Sequence, residues 1–182
     1  MSSANPLVRL TTQLEGDDSL DQLADNVAKI SQVLVQSPSR RDLLQGKWLG
    51  HAVHPVMTMA PLGMWISAGV LDVFAGRHAA PAARKLIGAG LLCAWPTAVT
   101  GLAELANADR RQLRIGVVHI LANTTGIALY LASYRARRRG RHGRGVATGL
   151  AGLACVGAGG YFGGHLASVR KMSSVNPAFP GV

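Results

Sequence analysis

Four stretches almost free of charge dominate this sequence: residues 56–75, 86–106, 115–134 and 146–168. Each has the length that crosses a ~30 Å hydrocarbon core at a rise of ~1.5 Å per residue. A water-soluble helical core of that length would show charges on one face at helical spacing. These four stretches contain only Asp72 and Glu104 as charged residues. Inside a bilayer no water satisfies the backbone, so such segments must be helices. The expected fold class is therefore all-α. It is an integral membrane four-helix bundle over residues 51–170, with an amphipathic helical N-terminal tail at 1–50 and a flexible C-terminal tail at 171–182.

The tail differs in kind from the rest. Leu20, Leu23, Val27, Ile30 and Leu34 recur at spacings of three and four, which predicts an amphipathic helix. Ser19 and Gln22 have the spacing of a capping box at its start. Pro38 ends it, because the residue before a proline is pushed out of the α region. The following "SRRDLL" reads as a second, short helix. The tail carries six acids and five bases, so it suits a lid at the membrane surface or a docking arm for a partner better than an anchor in anionic lipid.

Only 15% of the 182 residues are charged, yet the net charge is +10. The run "RARRRGRHGRG" at 135–145 resembles a nucleic-acid signal. It lies between two apolar stretches, where basic loops are expected on the cytoplasmic side, and it holds no aromatic residue for base stacking. A topology signal is the better reading, with anionic lipid headgroups as an added partner and no nucleic acid. That places the 135–145 loop inside and both termini outside, in a bacterial inner membrane. Cys93 and Cys155 fall inside the second and fourth stretches and make no CxxC pair, so they read as small buried apolar residues.

Polar residues gather at one depth. His51 and His54 precede the first span, with Pro55 suited to the first turn of its helix. Glu104 ends the second span. His119 begins the third, with Asn123 one turn deeper on the same face. His165 ends the fourth. Four of the six histidines thus approach one membrane face. Imidazoles on facing helices of a bundle can hold a haem or a metal ion. The candidate ligands are His51, His54, His119 and His165, with Glu104 and Asn123 as supporting hydrogen-bond partners. The cofactor would be haem b or a transition metal such as zinc or copper. Spacing alone leaves the competing reading open, in which each histidine bonds a neighbouring helix or interface water. Gly159–Gly163 and Gly160–Gly164 predict close helix packing. Asp72 is expected to pair with Arg77. No HExxH, P-loop, GxSxG or CxxC motif occurs.

Taken in order, "GKWLGHAVHPVMTMAPLGMWISAGVLDVFAG", "ARKLIGAGLLCAWPTAVTGLAEL", "IGVVHILANTTGIALYLASYRAR" and "GGYFGGHL" resemble the bacterial four-span membrane proteins of domain-of-unknown-function family 2231. The resemblance covers about residues 45–170. It matches the family's His-x-x-His-Pro entry (His51, His54, Pro55), its His and Asn of the third helix (His119, Asn123) and its Gly-Gly-His of the fourth (Gly163, Gly164, His165). The preceding tail is similar to that of members fused to a Rieske iron–sulfur domain. Two departures stand out. Glu104-Leu105 replaces the family's Asp-Trp, and the Cys-x-His and Cys-x-x-His pairs of a Rieske cluster are absent. The resemblance implies the four-helix fold and a link to redox chemistry, without an established activity.

Three functions are therefore weighed. The first is a haem- or metal-binding electron-transfer subunit with a redox partner protein and no substrate site of its own. The second is a non-enzymatic membrane scaffold that docks a partner through residues 1–50. The third, a proton or small-solute path through Asp72 and Glu104, has the least support. A homo-oligomer is compatible with each.

Overall fold

The computed structural model describes residues 5–176, 178 and 179. The first four residues and residues 177 and 180–182 of the expected terminal tails lie outside these. The described chain is all-helical, the nearest approach to a strand being an isolated bridge between His51 and Val175. The N-terminal helices are short: α1 (Pro6–Gly16), α2 (Asp21–Leu34) and α3 (Pro38–Leu44). Four longer helices follow: α4 (His54–Val70), α5 (Ala80–Glu104), α6 (Arg110–Arg138) and α7 (His142–Gly164). Single π-turns extend α4 over Leu71–Ala75 and α7 over His165–Val169.

Three continuous helical stretches are long and apolar enough to cross a membrane: His54–Asn107, Arg110–Arg138 and His142–Val169. The first spans 54 residues and contains both α4 and α5, with a tight turn over Gly76–Ala79 between them. The helices overrun the apolar stretches at their basic ends, because arginine is a good helix former whose long stem lets its charge reach water.

The chain divides into two compact units. One comprises residues 54–99 and 121–159. Its core is Trp65, Ile87, Tyr130 and Val156, with alanines between them. The Trp65 and Tyr130 rings stack at 4.2 Å with 14° between their planes. Small residues let the backbones approach: a Cβ at Gly126 would lie 2.5 Å from Val156 Cγ1 and 3.2 Å from the Gly152 carbonyl oxygen. Pro61 cannot donate to the carbonyl four residues back, and that carbonyl, of Met57, instead accepts the Thr97 hydroxyl at 3.3 Å. Large apolar side chains point outward, with Met59, Phe74, Leu92 and Trp95 each more than 70% exposed. In water this surface would be an aggregation hazard; in lipid it is the solvated face.

Asp72 is not the partner of Arg77. It accepts two hydrogen bonds from Arg137, at 2.9 and 2.5 Å, and the side chains are only 3% and 2% exposed. Arg137 also donates to Ser133 Oγ at 3.1 Å, and Ser133 Oγ donates to the Gly145 carbonyl at 2.5 Å. Arg77 is five residues away in sequence but exposed, and it is Arg137, from the end of α6, that meets both carboxylate oxygens at once.

The second unit comprises residues 1–53, 100–120 and 160–182. Here Leu20, just before α2, and Ala24, Val27 and Ala28 of α2 pack against Leu105, Leu113 and Val117. The buried stripe is rotated from the expected one: Ala24, Ser31 and Val35 are inside, while Leu23 and Ile30 are about half exposed. The cap also differs. Asp17, rather than Ser19, caps the turn before α2, accepting from Ser19 N at 3.0 Å. Pro38 is the first residue of α3, where its missing N–H is harmless.

Candidate functional site

In the unit formed by residues 1–53, 100–120 and 160–182, helix ends and tail meet through charge. Arg114 donates its Nε to Asp21 at 2.7 Å and its Nη1 to the Glu15 carbonyl at 2.9 Å. Its Nη2 reaches Asp21 at 3.0 Å and also Asp18. Glu15 is itself buried. Its carboxylate accepts from His165 Nε2 at 2.7 Å and Arg170 Nε at 2.6 Å, and also pairs with Arg170 Nη2. Hydrogen bonding to Arg170, opposed by burial and aided by His165, holds the Glu15 carboxyl below its ordinary range. Two glutamines tie down the rest of the tail, Gln45 bonding the Ala103 carbonyl at 3.0 Å and Gln32 the Ala106 carbonyl. These carbonyls lie in the last turn of α5 and in the turn just after it, where backbone acceptors lack intrahelical donors.

Below this cap lies a cavity of about 540 Å³. Three parts of the chain wall it. Arg41, Gln45 and Lys47 come from α3 and the turn after it. Glu104, Asn107 and Gln112 come from the α5–α6 corner. The third wall is the segment 171–175. That segment is held in place by the His51–Val175 bridge, by Asn176 N donating to the Gly50 carbonyl at 3.0 Å, and by Asn176 Nδ2 donating to the Lys47 carbonyl at 3.0 Å. Lys171 adopts φ +53°, a left-handed conformation that costs a non-glycine residue roughly 1–2 kcal/mol. Gly46 (φ +73°) is left-handed as well, and a Cβ there would strike the backbone of His51 and Val53.

Glu104 is the acid of this cavity. It is 7% exposed, and its Oε2 accepts from Ser174 N at 2.9 Å. Its Oε1 is buried and accepts no hydrogen bond among the described residues. Around it stand three cations. Lys47 is engaged by Asp42 at 2.7 Å. Arg41 approaches Asp42 more loosely, at 3.7 Å. Lys171 makes no ion pair among the described residues. A buried acceptor without a donor calls for a missing one, and a cationic wall calls for an anion.

The four histidines expected at one membrane face have the following surroundings. His165 spends Nε2 on Glu15. The His119 ring packs against α7 at Gly163, where a Cβ would lie 2.9 Å from its Cε1. Gly163 is two residues before His165, about 200° around the helix, so the two imidazoles share a depth but face different sides of α7. Asn123 packs in the same way against Gly159, within the other unit. His54 Nδ1 donates to the Thr97 carbonyl at 2.9 Å, and His51 Nδ1 to the Ala52 carbonyl at 3.0 Å. Among the described residues no three His, Cys, Asp or Glu side chains gather to hold a metal ion. The structure brings Glu104 into a site, but with Lys171, Arg41 and Gln45 rather than with imidazoles.

Sequence reasoning missed Glu15, Arg114 and Arg170. A trace of signal exists: Thr11 and Glu15 stand four apart on α1, and α1 buries that polar face while exposing Leu7, Val8 and Leu10. Thr11 Oγ1 hydrogen-bonds Tyr161 Oη at 3.0 Å. Polar residues sharing a helix face with no charge of opposite sign nearby in sequence announce a distant partner, though not which one.

No curated protein and no solved structure matches the chain. Residues 50–176 match the family described as predicted membrane protein DUF2231, more than two thirds of the sequence. The entry histidines, the His119/Asn123 helix and the Gly-Gly-His end of α7 all lie inside that match, and the chain belongs to the DUF2231 family of predicted membrane proteins.

Proposed function

We propose that this protein is a membrane-anchored binding module that holds a small zwitterionic solute in the Glu104 cavity. The solute carries a primary ammonium beside a phosphate or carboxylate. The observation that carries this reading is the unsatisfied Oε1 of Glu104 within a cavity whose other charges are cationic. An ammonium would supply the missing donor. Lys171 and Arg41 would take the anionic end, with Gln45 and Gln112 fixing the cavity wall.

In this reading α4 and α5 are separate crossings joined at Gly76–Ala79, giving four spans with both termini on one side. Four of the six tail acids, Glu15, Asp18, Asp21 and Asp25, are spent on Arg110, Arg114 and Arg170, which favours a lid over a free docking arm. The test is calorimetric titration of the detergent-purified full chain with O-phosphoethanolamine, ethanolamine and inorganic phosphate. The zwitterion binds at least about tenfold tighter than either half, the worth of one charge-assisted hydrogen bond. Equal affinities, or no binding, defeat the proposal.

An electron-transfer subunit is the second reading, favoured by the common depth of His119 and His165. A reducible Soret band lost in His119→Ala would establish it. Protein free of haem and metal, purified from replete cells, would remove it.

A further inference from the structure

We propose that the arginine-rich end of the unit formed by residues 54–99 and 121–159 binds anionic phospholipid headgroups. This unit contains nine Lys and Arg residues and a single acid, Asp72. Asp72 is consumed by Arg137, so eight cations remain uncompensated. The same ion pair holds the end of α6 against the turn after α4, and so brings the loops 76–85 and 135–145 to one end of the unit. The six arginines of the second loop divide sharply by environment. Arg137 is buried and fully engaged. Arg135, Arg138, Arg139, Arg141 and Arg144 are exposed and have no carboxylate partner among the described residues. Arg77 and Lys85 are exposed at the same end.

A guanidinium fork matches two phosphate oxygens, and the loop flanks two membrane-length helices. Phe74 and Val73, 83% and 60% exposed beside Asp72, provide apolar surface next to the charge, which suits a ligand with both a phosphate and an acyl chain. Nucleic acid would find the charge but no aromatic platform in the loop. This surface shares no residue with the Glu104 cavity and stands or falls separately from it.

The test uses the full chain in dodecyl maltoside, titrated with dioctanoyl phosphatidylglycerol or dioctanoyl phosphatidylcholine, with retained lipid counted by native mass spectrometry. Phosphatidylglycerol is retained at least about tenfold better, and the preference shrinks as salt is raised. The variant Arg138→Gln/Arg139→Gln/Arg141→Gln/Arg144→Gln loses the preference and keeps the wild-type melting transition in phosphatidylcholine, since these side chains are exposed. Equal retention of the two lipids by the wild type overturns the proposal, as does a variant that keeps the preference. Displacement of phosphatidylglycerol by an equal concentration of inorganic phosphate, or by a single-stranded oligonucleotide at lower phosphate concentration, also overturns it and assigns the surface to that ligand.

Discussion

Oε1 of Glu15, on the first helix of the tail, stands 2.7 Å from Nε2 of His165, 150 residues away at the end of α7. Arg170 grips the same carboxylate. A charge on Glu15 is therefore a condition for docking α1. Its folded pKa is depressed, chiefly by the hydrogen bond to Arg170, so its contribution is complete above the unfolded value of about 4.3 and is lost as pH falls through the folded value. Asp21, held low by hydrogen bonding to Arg114, acts with the same sign. Protection against hydrogen exchange over residues 6–34, taken relative to the intrinsic rate at each pH, should hold between pH 7 and pH 5 and should fall below about pH 4. Loosening of the tail between pH 7 and 5 would contradict this assignment.

The buried pair Asp72–Arg137 makes a prediction about stability. Asp72→Asn strands a buried guanidinium and is expected to cost about 3–5 kcal/mol, read from unfolding in mixed micelles. Asp72→Ala combined with Arg137→Ala should cost less than the two single changes added together, because neither leaves a lone charge. Additive costs would mean that the pair is not a unit. Arg77→Ala, at the partner that sequence proximity favours, should change stability by less than about 0.5 kcal/mol.

Close packing of α6 on α7 separates two glycines of similar sequence context. Gly126→Ala puts a methyl against Val156 and the Gly152 carbonyl and is expected to cost about 1–3 kcal/mol. Gly157→Ala meets nothing within 4 Å and should be neutral or slightly stabilising, since alanine is the better helix former. The comparison is read from paired melting transitions.

The proposed four-crossing topology predicts that a reporter after the last residue and one in the 135–145 loop report opposite compartments, with the arginine loop cytoplasmic. A C-terminal fusion active only in the cytoplasm reverses the orientation. Equal behaviour of the two fusions removes the odd number of crossings between them.

The long helices were legible because length and apolarity alone force them: nothing but a helix satisfies the backbone of residues 115–134 in lipid. The close contacts of Gly159 and Gly163 were also foreshadowed, while Gly160 and Gly164 meet no side chain within 4 Å. Partner choice was not legible. Depth alone did not say that His165 would bond Glu15 or that the His119 ring would pack at Gly163, because phase against an unseen neighbour is not written in one helix. Asp72 pairs with Arg137 rather than Arg77 because the end of α6 packs beside it, while Arg77 is exposed. The Glu104 cavity left no pattern at all. It arises where α3, the α5–α6 corner and an irregular segment converge, and irregular backbone has no period to read.

The role of Glu104 is tested by the dissociation constant of O-phosphoethanolamine for the wild-type chain and for Glu104→Gln. Glutamine still accepts from Ser174 N and preserves the wall, but it lacks the charge that holds an ammonium. The account predicts that Glu104→Gln weakens phosphoethanolamine at least about tenfold and leaves inorganic phosphate within about twofold, while Lys171→Gln weakens both. Unchanged phosphoethanolamine affinity in Glu104→Gln would contradict it.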